Sequence, residues 1–201
     1  MIFLVRFKIN KRYPVTNMLS REDGVILLNR YINNDKLKKH SYAVEAILKE
    51  IAIKIHKDVE LWGLTGLIHD LDFEYTKDQP EKHAIMTGQI LTGLVPDEVI
   101  HAIESHNYQH TMTIPTTHLD KALISADAVS GLIIATALII PSKKLEDVKL
   151  ETLVNKYKDK SFAAGCNRKR IDLCEDIGLS LNSFLEISLS ALKKISNQLN
   201  L

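Results

Sequence analysis

The chain has 201 residues, and its 26 Lys and Arg nearly cancel its 25 Asp and Glu, for a net charge of +1. That balance excludes a polybasic nucleic-acid binder and an acidic disordered tail. A hydrophobic fraction of 45% is enough for a real core, in one domain with at most a small appendage.

Cys166 and Cys174 make no disulfide framework and read as free thiols in a reducing cytoplasm. The apolar run before Arg6 and the run from Gly131 to Pro141 both fall far short of the about 20 residues of a membrane helix. Neither a secretory signal nor a membrane partner is expected. Residues 1–17 read as an extension detached from the pattern that follows, with Met18 as an alternative start.

From there the chain reads helix after helix. Ser20, with Asp23 three residues on, caps a helix to about Asn33 that carries Val25, Leu28 and Ile32 on one face. Asn33-Asn34-Asp35 is a turn. Leu37 to Ile55 repeats apolar residues at Val44, Ile47, Leu48, Ile51 and Ile55 with the helical period. Asp58 caps a third helix to Leu71, apolar almost all round, as expected of a helix in the middle of a bundle. A polar loop runs from Asp72 to Gln79. Pro80 then suits the first turn of a helix over Glu81 to Leu94, and Pro96 starts another to about Ser105.

Asn107 to Thr117 reads as a loop, and Leu119 to Ile140 as a very apolar helix closed by Pro141. An amphipathic helix over Glu146 to Tyr157, an irregular stretch from Ser161 to Arg168, and helices over Ile171 to Ile177 and Leu181 to Leu199 complete the chain. No alternating strand pattern follows Met18, and no repeat is present. The expectation is an all-α, single-domain bundle over 18–201, with its functional core at about 37–140 and C-terminal helices over 146–200.

Chemistry concentrates in histidines and aspartates near predicted helix ends. His69-Asp70 directly follows Leu67-Ile68 at the end of the buried helix. A buried aspartate needs a partner, and a metal cation is one. Imidazole nitrogen and carboxylate oxygen together suit divalent transition metals. His40 opens the long helix, His83 follows Pro80, His106 ends a helix, and Asp127 interrupts the apolar run Ile124–Val129. Each alone has an ordinary structural explanation; the ordered set is the specific signal.

In that order the residues resemble the HD superfamily of metal-dependent phosphohydrolases, and more narrowly its HDIG-like branch with two-metal sites. Leu67-Ile68-His69-Asp70-Leu71, Ala102-Ile103-Glu104-Ser105-His106 and Ser125-Ala126-Asp127-Ala128 each look like a motif of that family. The resemblance implies one or two divalent metals (Mn, Fe, Zn, Ni or Co). His40, His69, Asp70 and Asp127 would hold the first; Asp70 would bridge to a second, also held by His83 and His106. The chain departs from the family in two places. Asn107 stands where many relatives have a second histidine, which points to a weaker second metal with His110 as a candidate replacement. Leu71 to Tyr75 lacks the lysine by which HDIG relatives bind phosphate.

The implied reaction is hydrolysis of a phosphomonoester or phosphodiester, nucleotide-like or small, by metal-activated water. Two aspartates and two divalent ions leave the site at about +2, which attracts an anion. No P-loop, dinucleotide fingerprint or nucleophile elbow is present. Asp70 and Asp72 are the catalytic candidates. Asp72 or Glu74 is expected to orient a ligand histidine or accept a proton, against the alternative that both pair with Lys77, Lys82 or solvent. Arg30, Lys82 and Arg168 are the candidate substrate contacts, Arg168 through a cationic segment, Phe162 to Arg170, that could fold back as a lid. Two other readings stay open: a diiron oxygenase of the inositol oxygenase type, and a non-catalytic, metal-stabilised sensor. The expected partner is a small phosphorylated substrate, without specific nucleic-acid binding; the oligomeric state is open.

Overall fold

The computed structural model of the chain describes residues 19–201, so the expected extension at 1–17 and the alternative start at Met18 lie outside the described residues. Within them the chain is all α, with no strand. Ser20 forms the expected capping box with Asp23 and opens α1 (Arg21–Tyr31). Asn34 caps α2 (Asp35–Lys54), and Asp58 caps α3 (Val59–Ile68). Every residue of α3 from Leu61 onward is buried, because α1 and α2 pack on it and α5 and α7 reach it from beyond. Gly66 makes the closest approach possible: a Cβ there would stand 2.9 Å from the backbone of Val44 and Glu45 on α2. That contact fixes the end of α3, where the His-Asp pair lies.

The expected continuation of α3 to Leu71 does not occur. The helix stops at His69 and the chain turns through residues 69–79. The backbone N–H of Asp72 donates to Thr87 Oγ1 (3.1 Å) instead of continuing the helical ladder. The helix expected over Glu81 to Leu94 shrinks to α4 (Ile85–Leu91), since Ala84 takes φ +77° and breaks the turn before it. α5 (Asp97–His106) begins after Pro96, as expected, and the expected loop beyond it holds one helical turn, α6 (Tyr108–Thr111).

Thr117 forms a capping box with Asp120 and opens α7 (His118–Ile139). This helix is long and apolar enough to cross a membrane, yet 67% of its most apolar window is buried inside the bundle. Its apolarity is that of a central helix, packed on α2, α5 and α8. A 3-10 turn (Leu145–Asp147) precedes α8 (Leu150–Lys158). The stretch expected as Ile171–Ile177 divides into α9 (Arg168–Ile171) and a 3-10 helix (Asp172–Ile177). The last helix breaks at Ile195 into α10 (Leu181–Lys194) and α11 (Ser196–Leu199). α10 closes the bundle against α2 and α7.

Candidate metal centre

Five separate pieces of chain deliver the six expected ligands to one place. His40 stands on α2, His69 and Asp70 at the end of α3, His83 on the turn before α4, His106 at the last position of α5, and Asp127 within α7. Asp70 is the hub. Its Oδ1 lies 3.3 Å from His69 Nε2, 3.4 Å from His83 Nε2 and 3.3 Å from His106 Nε2. Its Oδ2 lies 3.6 Å from His40 Nε2. The ligand atoms form two compact groups that share this carboxylate: His40 with His69, and His83 with His106. Asp127 joins the first, with Oδ1 3.2 Å from His40 Nε2.

Each histidine has its other ring nitrogen occupied, which fixes both ring and tautomer. His69 Nδ1 donates to the Gly66 carbonyl (2.8 Å), and His106 Nδ1 to the Ile103 carbonyl. His83 Nδ1 donates to Asp72 Oδ1 (2.8 Å). The Ser130 hydroxyl spends its proton on the Asp127 carbonyl (2.8 Å), so it accepts from His40 Nδ1 (3.1 Å). All four Nε2 atoms therefore turn a lone pair toward Asp70.

Such an arrangement fits a cation better than it fits the protein alone. His69 Nε2 and Asp70 Oδ1 are buried without a hydrogen-bond partner, a costly condition for polar atoms. His83 Nε2 and His106 Nε2 face each other at 3.2 Å. Burial pushes the His69 pKa down to about 4, keeping it neutral, the form that ligates metals. Burial alone would raise the Asp70 pKa. The surrounding imidazoles of His69, His106 and His83 instead hold it well below the usual carboxylate range. Asp127 is likewise lowered against its burial, by the His40 imidazole beside it and the Arg170 charge. Burial pulls His40 and His83 down, but the carboxylates that face them, Asp127 and Asp70 for His40 and Asp72 and Asp70 for His83, outweigh it and both are raised.

The remaining expected site residues fall elsewhere. Asp72 is fully buried behind His83, not at the mouth of the site. Its Oδ1 holds His83, and its Oδ2 accepts from the backbone of Ala84 (2.8 Å) and Thr87 (3.0 Å). With both oxygens engaged, Asp72 orients His83, one of the two expected roles, and does not line the cavity as a free proton acceptor. Glu74 receives the backbone N–H groups of Asn33 and Asn34 ahead of α2.

Arg30, Lys82 and Arg168, expected to touch substrate, do not line the ligand cavity. Arg30 lies over the ring of Tyr31, 5.8 Å from its centre. Exposed Lys82 bonds to Gln79. Arg168 spends all of its donor nitrogens on six backbone carbonyls between Lys156 and Cys166, so the irregular segment wraps around its guanidinium. Exposed His110 does not replace the missing histidine. Asn107 instead donates to the carbonyls of Pro80 (2.8 Å) and His83 (3.0 Å), tying down the turn that carries His83.

The ligands open onto a cavity of about 410 Å³, walled by Leu37 and Phe73 and closed at one side by Arg170. Arg170, which reading the sequence did not single out, donates through Nη2 to Asp127 Oδ2 (2.8 Å) and to the His106 carbonyl (2.8 Å). The run Arg168-Lys169-Arg170 was the available signal. Which arginine turns inward depends on the phase of the one-turn helix α9, where residues two apart point to nearly opposite sides. A larger cavity, about 620 Å³, lies by Lys160 and the 164–169 segment but contains no ligand of the cluster, so the chemistry belongs to the smaller one.

Residues 37–132 match the family model described as HD domain. No curated protein and no solved structure matches the chain. The matched span begins three residues before His40 and ends five after Asp127, enclosing all six candidate ligands. The match places residues 37–132 in the HD superfamily, whose members are generally metal-dependent phosphohydrolases.

Proposed function

We propose that the protein hydrolyses a small or nucleotide-like phosphate ester, monoester or diester, in the cavity above Asp70. The observation that carries this reading is a single carboxylate shared by two histidine groups, with buried ligand-type atoms that no described residue satisfies. Within the superfamily, this six-residue set is what a two-metal, HDIG-like member would use. His40, His69, Asp70 and Asp127 would hold one divalent ion (Mn, Fe, Zn, Ni or Co), and Asp70, His83 and His106 a second. Bound there, such ions lower the pKa of water toward neutrality and offset the charge of phosphoryl oxygens.

The protein's own groups prepare that chemistry. Gly66, Asp72, Ile103 and Ser130 hold the four imidazoles with Nε2 inward. Leu37 and Phe73 give the cavity an apolar wall against which the organic part of an ester can lie. Among the described residues, no serine, threonine, cysteine or lysine lines the cavity. The Ser130 proton is committed to a carbonyl, and burial raises the pKa of the nearby Cys166, leaving it a thiol at neutral pH. Two free cysteines suit the reducing cytoplasm in which we place the protein.

The test is turnover of an aryl phosphate and of a bis-aryl phosphodiester by protein loaded in turn with Mn, Fe, Zn, Ni and Co. We expect hydrolysis of at least one, lost on chelation and restored by metal. No turnover with any ion would remove the hydrolytic reading. Oxygen uptake with a polyol by the iron-loaded protein would replace it with a diiron oxygenase.

A further inference from the structure

We propose that Arg170 is the residue that receives the phosphoryl oxygens of the substrate, an assignment that rests on the hydrolytic reading above. Arg170 is the one arginine or lysine lining the ligand cavity among the described residues. It also lines a neighbouring cavity of about 230 Å³ that shares His40 and Asp127 with the first and runs under Gly165 and Cys166. An anion in either space meets this guanidinium.

Its anchoring is specific. Nη2 bridges Asp127, from the first ligand group, to the carbonyl of His106, from the second. The cation is thereby held across the line between the two groups, where a phosphoryl group shared by them would sit. Among the described residues the guanidinium is only partly satisfied. Nε is buried without an acceptor, and no described hydrogen bond engages Nη1. About a quarter of the side chain (24%) stays exposed. Asp127 gives Arg170 only Oδ2, and Oδ1 remains directed toward His40. The ion pair thus leaves the ligand function of Asp127 in place.

A planar fork with spare donors suits a phosphoryl group, whose oxygens gain charge in the transition state. The neighbouring cations cannot substitute. Arg168 is consumed by its own loop and Lys82 lies outside the cavity. Arg170 therefore supplies the cation that the Leu71–Tyr75 stretch lacks.

The experiment compares full-length wild type, Arg170→Gln, Arg170→Lys and, as a control outside the cavity, Lys82→Gln. Metal content is read by elemental analysis, affinity for inorganic phosphate by calorimetry on metal-loaded protein, and kcat/KM on an aryl phosphate. Glutamine can still donate to Asp127, so Arg170→Gln should keep its metal. It should bind phosphate at least about 10-fold more weakly and lose about 100-fold in kcat/KM. Lysine should recover part of the phosphate affinity, and Lys82→Gln should match wild type.

Unchanged phosphate affinity in Arg170→Gln would overturn the assignment. So would metal loss in that variant with phosphate affinity restored by excess metal, because Arg170 would then act only by orienting Asp127. Weakened phosphate binding at full metal content, in a protein whose wild type turns over no ester, would keep the phosphate contact and remove only the hydrolytic reading.

Discussion

His40 and Asp127 stand on long helices that carry fully buried apolar residues within two turns of each, whereas His83 stands on a turn between a polar loop and a seven-residue helix. The first half of the metal centre is positioned by apolar packing. Val44 and Ile47 on α2 and Leu123 and Ala126 on α7 are completely inaccessible. The second half is stitched by polar contacts. Asp72 reaches over to His83, Ala84 and Thr87, and Asn107 holds the carbonyls of Pro80 and His83. Ala84 is kept at φ +77°, a conformation costly for a non-glycine residue. A site can thus be half core and half scaffolded loop, and the halves should fail differently.

The largest effect belongs to the residue common to both. Asp70→Ala should remove both ions and lower turnover by at least about 1,000-fold, near 4 kcal/mol in the barrier. Elemental analysis and aryl phosphate kinetics check it together. A variant that keeps metal and activity would end the assignment of the whole centre. His83→Ala comes next. It should keep one ion on His40, His69, Asp70 and Asp127, and lose more than about tenfold in activity, or 1.4 kcal/mol. Full activity and full metal content in this variant would leave a one-metal site.

How much of this contrast the sequence revealed follows the same division. The first half was legible: His40 opens a helix with a clear 3.6-residue period, and His69-Asp70 and Asp127 stand out as charged or polar residues at the end of, or inside, two helices that are apolar almost all round. His106 was legible as a helix end. His83 was singled out as a candidate ligand, but its surroundings were read as a helix beginning near Glu81. What breaks that helix is a carboxylate eleven residues earlier, Asp72, and no local pattern encodes a contact across a loop. The arginines show the same limit. The cationic run was visible, but α9 is one turn long, so no periodicity chose Arg170 over Arg168. The carbonyl cage that consumes Arg168 depends on a loop conformation that includes Ala163 at φ +46°.

Asp72 therefore offers a sharper probe of the stitched half than the ligands do. In Asp72→Asn one oxygen is replaced by an amide donor, which cannot accept from both Ala84 N–H and Thr87 N–H while also holding His83 Nδ1. The second ion should bind about 10- to 100-fold more weakly, the usual cost of removing a ligand's orienting partner. The first ion should be unaffected, and excess metal should restore most of the activity. Metal titration with two resolved affinities tests this. Equal weakening of both sites would mean that the halves are one cooperative unit.

The smallest expected effect lies at Asn107. Asn107→Ala removes two hydrogen bonds to the carbonyls of Pro80 and His83, each worth about 1 kcal/mol net at most. Asn107 is only half-buried, so water can replace part of what is lost. Its amide makes no contact with a ligand nitrogen, and α5 would still deliver His106. The prediction is a few-fold loss of second-site affinity, an unchanged first site and a melting temperature within a few degrees of wild type. Asn107→His asks the complementary question. A histidine there gives up the tie to the 80–83 turn and places a further imidazole on the cavity wall. If the turn matters more than an extra nitrogen, this variant should bind the second ion no better than Asn107→Ala. Tighter binding than wild type would show that the amide is a compromise, and that the stitched half is limited by donors rather than by the positioning of His83.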